Sequence, residues 1–501
     1  MRSYALCASS GLLGFLGYVG FDQFYLGWIW LVPFLWAIED ATPRRGFFCG
    51  WLMGVVGHGG GFYWMGYLLE EFGGQHPVVA WLGVLGIGLY HGLSLGLWGL
   101  ALVLLRRRGH SFAWTAPVAW AVMEHAFPFL FPMYLGAGQY RVPALLQIVE
   151  LTGALGASML VVFGNAVIHA AWRTRPLPWK LVGGFGGVAV AVVLFGVLRM
   201  AAIDARADAA PKLRVGIVQV NLGAGDKTRD PRAFFHAHRV LTHELLAAHE
   251  VDLVVWPESV VNMRLPEGAS SFGAAVVGDV PTPLLFGVVT RRVEDGTLVP
   301  YSEAILAEPG ERILGRYEKR ILIPFGEYVP CADWLPFLKG WSPHQGNYRA
   351  GTGLQPIAFG EWKLSTSICY EDIHPAEIRR LMTGDDGRTE LPHLLVNLTN
   401  DSWYGDSTEP LQHLVLASLR CIEHRRAMVR ATNSGISALI SPTGRFDGRR
   451  TGQWTREILV GEVPLLTGRT VYSRLGDWPF WPCLLALVLG LFLRRATSRA
   501  S

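Results

Sequence analysis

Residues 363–371 read KLSTSICYE, a run of strand-forming residues that closes on a cysteine and is followed shortly by an acid. Runs of the same kind lie on both sides of it. LRVGIVQV (213–220), DLVVWPE (252–258) and LLFGVVT (284–290) precede it; HLLVNLTND (393–401), MVRATN (428–433) and ISALISP (436–442) follow. Helical patterns separate them. Asp230 and Pro231 open one as N-cap and first helical residue, running to about His249. Thr408, Glu409 and Pro410 open another in the same way, running through Arg426. Mostly apolar strands alternating with amphipathic helices predict an α/β layered domain whose sheets are buried between helices. No internal repeat or low-complexity segment interrupts it.

Outside this interval the composition changes. The chain has 501 residues, of which 17% are charged, against about 25% in ordinary soluble chains. It carries 19 Trp and 25 Phe, and its mean hydropathy is positive. Apolar stretches cover approximately 4–20, 24–39, 47–69, 78–105, 112–130, 144–172, 179–199 and 478–493. A spanning helix needs about 20 apolar residues, with about 17 tolerable. The first two stretches are short by that measure and suit a tilted or partly interfacial hairpin. The N-terminus does not read as a cleaved signal peptide, because its apolar run continues into further spans without a small-residue cleavage site.

Loop charges orient these stretches. Arg2, Arg44 with Arg45, Arg106 to Arg108, Arg173 with Arg175 and Lys180, and Arg494 with Arg495 make every second connection basic. The positive-inside rule then places both termini in the cytoplasm. The expected organisation is a seven-span membrane domain over 1–204, an extracytoplasmic domain over 205–475, and a final span with a cytoplasmic tail over 476–501. His58, His91, Glu124 and His125 are the main ionisable groups within the spans. No repeat pairs them and no broken half-helices suggest a transporter, so helix ends or hydrogen-bonded bundle positions are expected for them. A net charge of +4 with no basic block gives no reason to invoke nucleic acid.

Six cysteines, at 7, 49, 331, 369, 421 and 483, fit no metal-ligand spacing. Cys7, Cys49 and Cys483 sit in apolar runs as small buried hydrophobes, and a Cys331–Cys421 pair in an oxidising compartment is left open. Three polar residues stand where strands should end: Glu258 after VVWP, Lys319 in RYEKRILIPFGEYVP, and Cys369 after STSI. Singly, each is ordinary: a strand-end cap, a surface charge, a core cysteine. Together they are chemically sensible. A thiol nucleophile needs a base or a neighbouring cation. A carboxylate serves as the base, and an ammonium holds a developing oxyanion. No GxSxG elbow and no HExxH metal motif competes with them.

VVWPES (254–259), YEKRILIPFGEYVP (317–330), SICYED (367–372), NLTNDSWYGDS (397–407) and RCIEHRRAMVRATNSGIS (420–437) occur in that order. GWIWLVPFLWAI (27–38), GGGFYWMGYLL (59–69) and APVAWAVMEH (116–125) accompany them. On these motifs the chain resembles the apolipoprotein N-acyltransferases, the membrane-embedded branch of the nitrilase superfamily, over nearly its whole length. The resemblance implies a multi-pass α-helical membrane bundle plus an α/β nitrilase-like domain, an α-β-β-α sandwich. It implies Glu258 as general base, Lys319 as oxyanion stabiliser and Cys369 as the thioester-forming nucleophile. Glu327, Tyr370 and Glu371 match positions that support the site, with plain structural hydrogen bonding as the alternative. The implied reaction moves an acyl chain from a phospholipid to the α-amine of a diacylglyceryl-cysteine on an apolipoprotein. It takes place at a bacterial inner membrane, in a monomer, without metal or organic cofactor.

Two readings from other classes stand beside this one: a membrane-tethered amidase using water as second nucleophile, and a non-catalytic lipoprotein-binding paralogue. Two departures from the family pattern bear on substrate contacts. Thr228 follows Lys227 where an aromatic residue is common, and EHAFPFLFPMYLGAGQY (124–140) lacks the usual arginine and GFPW. WLPFLKGW (334–341) is either an interfacial loop or a buried satellite cluster.

Overall fold

A computed structural model describes residues 2–265, 268–271, 279–294, 296–331, 334, 347–385, 387 and 390–493. The chain forms two compact units. One comprises Met1–Glu70, Gln75–Ala201 and Arg474–Ser501; the other comprises Ala202–Ser473 with Glu71–Gly74.

The first unit is helical, with α1 (Arg2–Leu16), α2 (Val32–Ile38), α3 (Pro43–Gly61), α4 (Pro77–Arg107), α5 (Phe112–Ala126), α6 (Ala154–Arg173) and the start of α7 (Trp179–Ala209). Three of these, α4, α6 and α7, are long and apolar enough to cross a membrane. On α7, Val188, Val190, Val193, Leu194, Val197 and Leu198 are all exposed. Other apolar stretches form shorter helices. The 144–172 stretch is broken at Gly153, whose φ of +64° ends one short helix and precedes α6.

Glycines set the α3–α4 contact. Gly46, Gly50 and Gly54 recur one turn apart on α3. A Cβ at Gly50 would stand 2.1 Å from the Leu95 carbonyl oxygen, and one at Gly54 would stand 2.6 Å from Gly92 Cα. Close backbone approach through small residues is how helices associate where apolar surroundings remove the hydrophobic drive. Two of the ionisable groups of this unit accept hydrogen bonds within it. Glu124 Oε1 accepts from Trp120 Nε1 at 3.0 Å and from the Leu135 amide at 2.9 Å. His91 Nε2 accepts from the Leu130 amide at 3.2 Å.

The second unit holds two sheets. Its strands are β1 (Lys212–Gln219), β2 (Leu253–Val255), β3 (Val261–Arg264), β4 (Leu284–Glu294), β5 (Thr297–Ala307), β6 (Ile313–Glu318), β7 (Ile357–Phe359), β8 (Trp362–Ile368), β9 (Leu394–Thr399), β10 (Met428–Thr432), β11 (Ala438–Ile440) and β12 (Glu457–Pro464). One sheet runs β12-β1-β2-β4-β5-β6 with β3 beside β4, and the other runs β11-β10-β9-β8-β7. Each has a parallel centre, β1-β2-β4 in the first and β10-β9-β8 in the second, finished by antiparallel edges. Parallel centres need cover on both faces, and their strands accordingly read as nearly continuous apolar runs.

α8 (Pro231–Ala248) covers the first sheet: Leu245 lies over Gly216, and Trp256 Nε1 donates to Thr242 Oγ1 at 2.8 Å. α9 (Pro375–Thr383) and the almost wholly buried α10 (Glu409–His424) accompany the second. Between the sheets, Gln219 Oε1 at the end of β1 accepts from Ser437 Oγ at 2.7 Å, Thr451 Oγ1 at 2.9 Å and Thr432 Oγ1 at 3.2 Å. A buried amide satisfied this fully fixes the relative position of the two sheets more sharply than hydrocarbon contact does.

Candidate active site

The C-terminal ends of parallel strands are where α/β sheets collect reactive groups, because loops diverge there and leave a crevice. Glu258 follows β2 and Cys369 follows β8, one from each sheet. β2 is short because Pro257 has no N–H to extend the ladder. The chain then bends, with Ser259 at φ +58°, and Glu258 is left 6% exposed. The neighbouring strand must come close at this bend. A Cβ on Gly287 would stand 2.5 Å from Glu258 Cα and 2.4 Å from the Ser259 amide nitrogen, so only glycine fits there.

Lys319 follows β6 directly and is 1% exposed. Its ammonium donates to Glu327 Oε1 at 2.8 Å and to Glu258 Oε1 at 3.3 Å. Glu327 Oε2 also accepts from the Ile323 amide at 2.9 Å, which closes the loop carrying both residues. Burial works against the Lys319 charge, yet the carboxylates of Glu258 and Glu327 outweigh it and hold the ammonium well above its usual range. Burial likewise raises Glu258, with the Glu327 charge adding to the rise and Lys319 opposing it. A carboxyl raised in this way is suited to accept and return a proton.

Cys369 sits on a sharp turn with φ +51°, a left-handed conformation that costs a non-glycine residue about 1–2 kcal/mol. The turn, Cys369–Ile373, swings the side chain out of the strand direction at the sheet's edge. Burial pushes the thiol well above its usual range, the Glu258 charge raises it further, and Lys319 pulls it down. Tyr370 is 5% exposed and packs edge-on against His374, ring centroids 4.6 Å apart.

Glu371 is the brace between the two loops. Its Oε1 accepts from the Arg320 amide at 2.6 Å and the Ile321 amide at 3.1 Å, its Oε2 accepts from the Ile368 amide at 2.7 Å, and Tyr317 Oη donates to both oxygens at 2.8 Å. Burial raises its carboxyl to about 7 against these donors. The loop that carries Lys319 is thereby pinned to the turn that carries Cys369. All six residues singled out from sequence fall in this one region of the second unit.

Sequence reasoning assigned no role to a second buried cluster next to Cys369. Arg430 Nη1 donates to Asp372 Oδ2 and to Asn397 Oδ1, both at 2.8 Å, and Nη2 donates to Asp401 Oδ2 at 3.2 Å. His413 bridges Asp372 Oδ1 at 2.7 Å through Nε2 and Asp401 Oδ1 at 3.1 Å through Nδ1. Burial and the Arg430 charge oppose protonation of His413, but the carboxylates of Asp372 and Asp401 raise it to about 10. The signals in the sequence were an arginine inside MVRAT and an asparagine inside LLVNLT, polar residues at strand-centre positions, and the place of Asp372, Asn397, Asp401 and Arg430 within the motifs SICYED, NLTNDSWYGDS and RCIEHRRAMVRATNSGIS.

The peripheral expectations resolve unevenly. Lys227 is pushed down to about 8 by burial, against the pull of the Glu258 charge. The Thr228 side chain and residues 335–341 of WLPFLKGW lie outside the described residues; Trp334 is exposed. Cys331 is exposed and Cys421 buried, and both are free thiols, so the pairing left open from sequence is not formed.

Comparison with known proteins covers both units. Residues 10–167 match the family described as apolipoprotein N-acyltransferase N-terminal domain, and residues 214–472 match the family described as carbon-nitrogen hydrolase. The chain is 31% identical over 518 residues to an apolipoprotein N-acyltransferase of Geobacter metallireducens, covering 99% of this chain and 96% of that protein. It is 31% identical over 521 residues to one of Azotobacter vinelandii, with the same two coverages. Among solved structures, a carbon-nitrogen hydrolase from Helicobacter pylori aligns over 55% of this chain and 95% of its own, at 15% identity and a TM-score of 0.37.

Proposed function

The chain belongs to the apolipoprotein N-acyltransferase family, and on that premise we propose that it N-acylates lipoproteins through a thioester on Cys369. The observation that carries the reading is the buried Lys319 ammonium shared by Glu258 and Glu327, with the charges of Glu258 and Lys319 both acting on the Cys369 thiol.

In the first half-reaction, Glu258 takes the thiol proton as sulfur attacks an ester carbonyl of a phospholipid. The oxyanion that forms is stabilised by the Lys319 ammonium. The C–O bond then breaks, Glu258 returns the proton to the departing oxygen, and a lysophospholipid leaves. In the second, the free α-amine of a diacylglyceryl-cysteine attacks the thioester. Glu258 takes the amine proton, the C–S bond breaks, and the thiol regains its proton. Glu327 holds the ammonium in place throughout, and Tyr370 lines the space for the acyl chain.

The helical unit suits substrates whose chains stay in a bilayer. In this reading its apolar helices form a multi-pass bundle in the bacterial inner membrane, both termini are cytoplasmic, and the α/β unit works on the opposite side as a monomer. A chain of α4, α6 and α7 exceeds what a single-helix anchor needs.

The test is intact-mass spectrometry of the purified full chain incubated with phospholipid and no acceptor. One hydroxylamine-labile acyl group is expected on the wild type and none on Cys369→Ala. A diacylglyceryl peptide added afterwards should discharge it as a stable amide. Hydrolysis of small amides without any acyl adduct would instead make the chain a membrane-bound amidase.

A further inference from the structure

The cluster of Asp372, Asn397, Asp401, His413 and Arg430 touches no position assigned to substrate, and all five side chains are at least nine-tenths buried. Stability alone does not account for its make-up. Four charged groups in a protein interior carry desolvation costs that their attraction only partly returns, and replacing such groups by packed hydrocarbon is often neutral or stabilising. What the cluster does hold is the Cys369 turn.

The parallel register of the second sheet makes this possible. Ser367 of β8 stands opposite Asn397 of β9, which stands opposite Arg430 of β10, so three strands put three polar side chains in one row. Asn397 Nδ2 donates to Ser367 Oγ at 3.1 Å and to the Cys369 carbonyl oxygen at 3.3 Å. Its Oδ1 accepts from Arg430, which fixes the amide orientation. Arg430 then reaches Asp372, three residues beyond Cys369 in the same turn. The turn is thus gripped twice by one guanidinium, once through the Cys369 carbonyl and once through the Asp372 side chain. A left-handed cysteine persists only where its surroundings over-determine it.

The cluster also presents Asp401, Glu409 and His413 close enough together to suggest a cation site. Those groups already face cations: Arg430 lies on Asp401, and His413 is placed between Asp372 and Asp401.

We propose that Asn397 and Arg430 are positioning residues for the nucleophile, acting through the Cys369 carbonyl and Asp372 to hold the thiol in its attacking position. The proposal rests on the reading of Cys369 as the nucleophile. Its prediction is a loss of rate at the thiol that exceeds any loss of fold. Misplacing a reacting atom by about 1 Å costs up to roughly 100-fold in rate.

The experiment uses the full chain in detergent, as Asn397→Asp and Arg430→Lys. Asn397→Asp keeps the acceptor for Arg430 and loses the donor to Cys369; Arg430→Lys keeps the charge and loses the fork. Three quantities are read: the rate of iodoacetamide addition at Cys369, mapped by peptide so that Cys331 is excluded; the rate of thioester formation against phospholipid concentration; and the melting temperature. The expected result is a fall of about 10- to 100-fold in maximal thioester rate, at an unchanged half-saturating phospholipid concentration. A shifted pH profile of alkylation should accompany it.

Wild-type rates of alkylation and thioester formation in either variant that folds, with only the melting temperature lowered, would overturn the proposal. Alkylation needs no acyl donor. If the wild type forms no thioester while the variants still alter alkylation, the acyltransferase reading falls and the positioning role stands.

Discussion

Two ionic clusters flank Cys369, and they are built on opposite principles. In front, one ammonium serves two carboxylates: Lys319 is shared by Glu258 and Glu327, and burial raises Glu258. Behind, two basic side chains face two acidic ones: Arg430 and His413 against Asp372 and Asp401, with Glu409, which burial raises well above its usual range, beside His413. An uneven cluster leaves the position of a proton negotiable, which is what a general base requires. An even one gains nothing by exchanging a proton and serves as a fixed frame. Buried ionic groups become machinery or scaffold according to whether their charges balance.

The largest expected effect comes from removing the ammonium that Glu258 and Glu327 share. Lys319→Met leaves Glu258 and Glu327 buried against each other without the ammonium that pairs with both. Breaking a buried pair in this way costs about 3–5 kcal/mol of stability, and losing an oxyanion donor costs about 100- to 1,000-fold in rate. Thioester formation and melting temperature should therefore fall together. A variant that keeps its adduct rate within tenfold would show that the front cluster does not depend on its ammonium and does not differ from the rear one in this respect.

A smaller effect separates the rear cluster by pH. His413 sits near 10 in the folded chain, against an ordinary value of about 6.5 in the unfolded one. A pKa raised on folding means that the stabilisation is fully present below pH 6.5 and is lost as pH climbs towards 10. Between pH 7 and 9 the wild type should lose about 1.4 kcal/mol per pH unit through this group. The groups that face the imidazole are Asp372, Asp401, Glu409 and Arg430, from four different elements. The comparison to make is the melting temperature of wild type and His413→Gln across that range. The difference between them should shrink steadily with rising pH; a constant difference would mean that His413 is neutral and that the rear charges do not balance.

How much of this was legible in the sequence follows from where each partner comes from. Glu258 and Cys369 announce themselves because each ends an apolar run that reads locally as a strand, whereas Lys319 stands in RYEKRILIP after a strand, Ile313–Glu318, that the apolar runs do not mark. The α8 and α10 starts were equally local, written in Asp230-Pro231 and in Glu409-Pro410, and the helices run Pro231–Ala248 and Glu409–His424. Arg430 was visible as a misfit inside a strand, but its meaning lies in register. Asn397 and Asp372 reach it only because β8, β9 and β10 run parallel, and pairing across such distances is not written in either strand.

β5 went unread for a related reason. TLVPYSEAILA holds Pro300 and Glu303, which argue against a strand, until Arg292 of the adjacent strand answers the acid at 2.7 Å. β12 is a similar case, pairing with β1 across more than two hundred residues. In the helical unit, a continuous apolar stretch concealed the break at Gly153, because hydropathy does not report φ.

The smallest expected effect tests whether the front is as rigid in its backbone as it is mobile in its protons. Gly287 lies beside Glu258, and a methyl group there would meet the backbone of residues 257–259 at 2.4–2.5 Å, with no flexible side-chain end to move aside. Gly287→Ala should therefore cost about 1–3 kcal/mol through overpacking. It should also displace the Glu258 carboxylate and lower the thioester rate. The rear cluster shares no atom with this contact, so iodoacetamide addition at Cys369 should keep the pH profile it owes to Arg430 and Asn397, apart from any part set by the Glu258 charge. If melting temperature and rate both survive the substitution, the bend at Pro257 yields by several tenths of an ångström. The front would then be soft in backbone as well as in protonation, and the rear cluster alone would fix the geometry of the site.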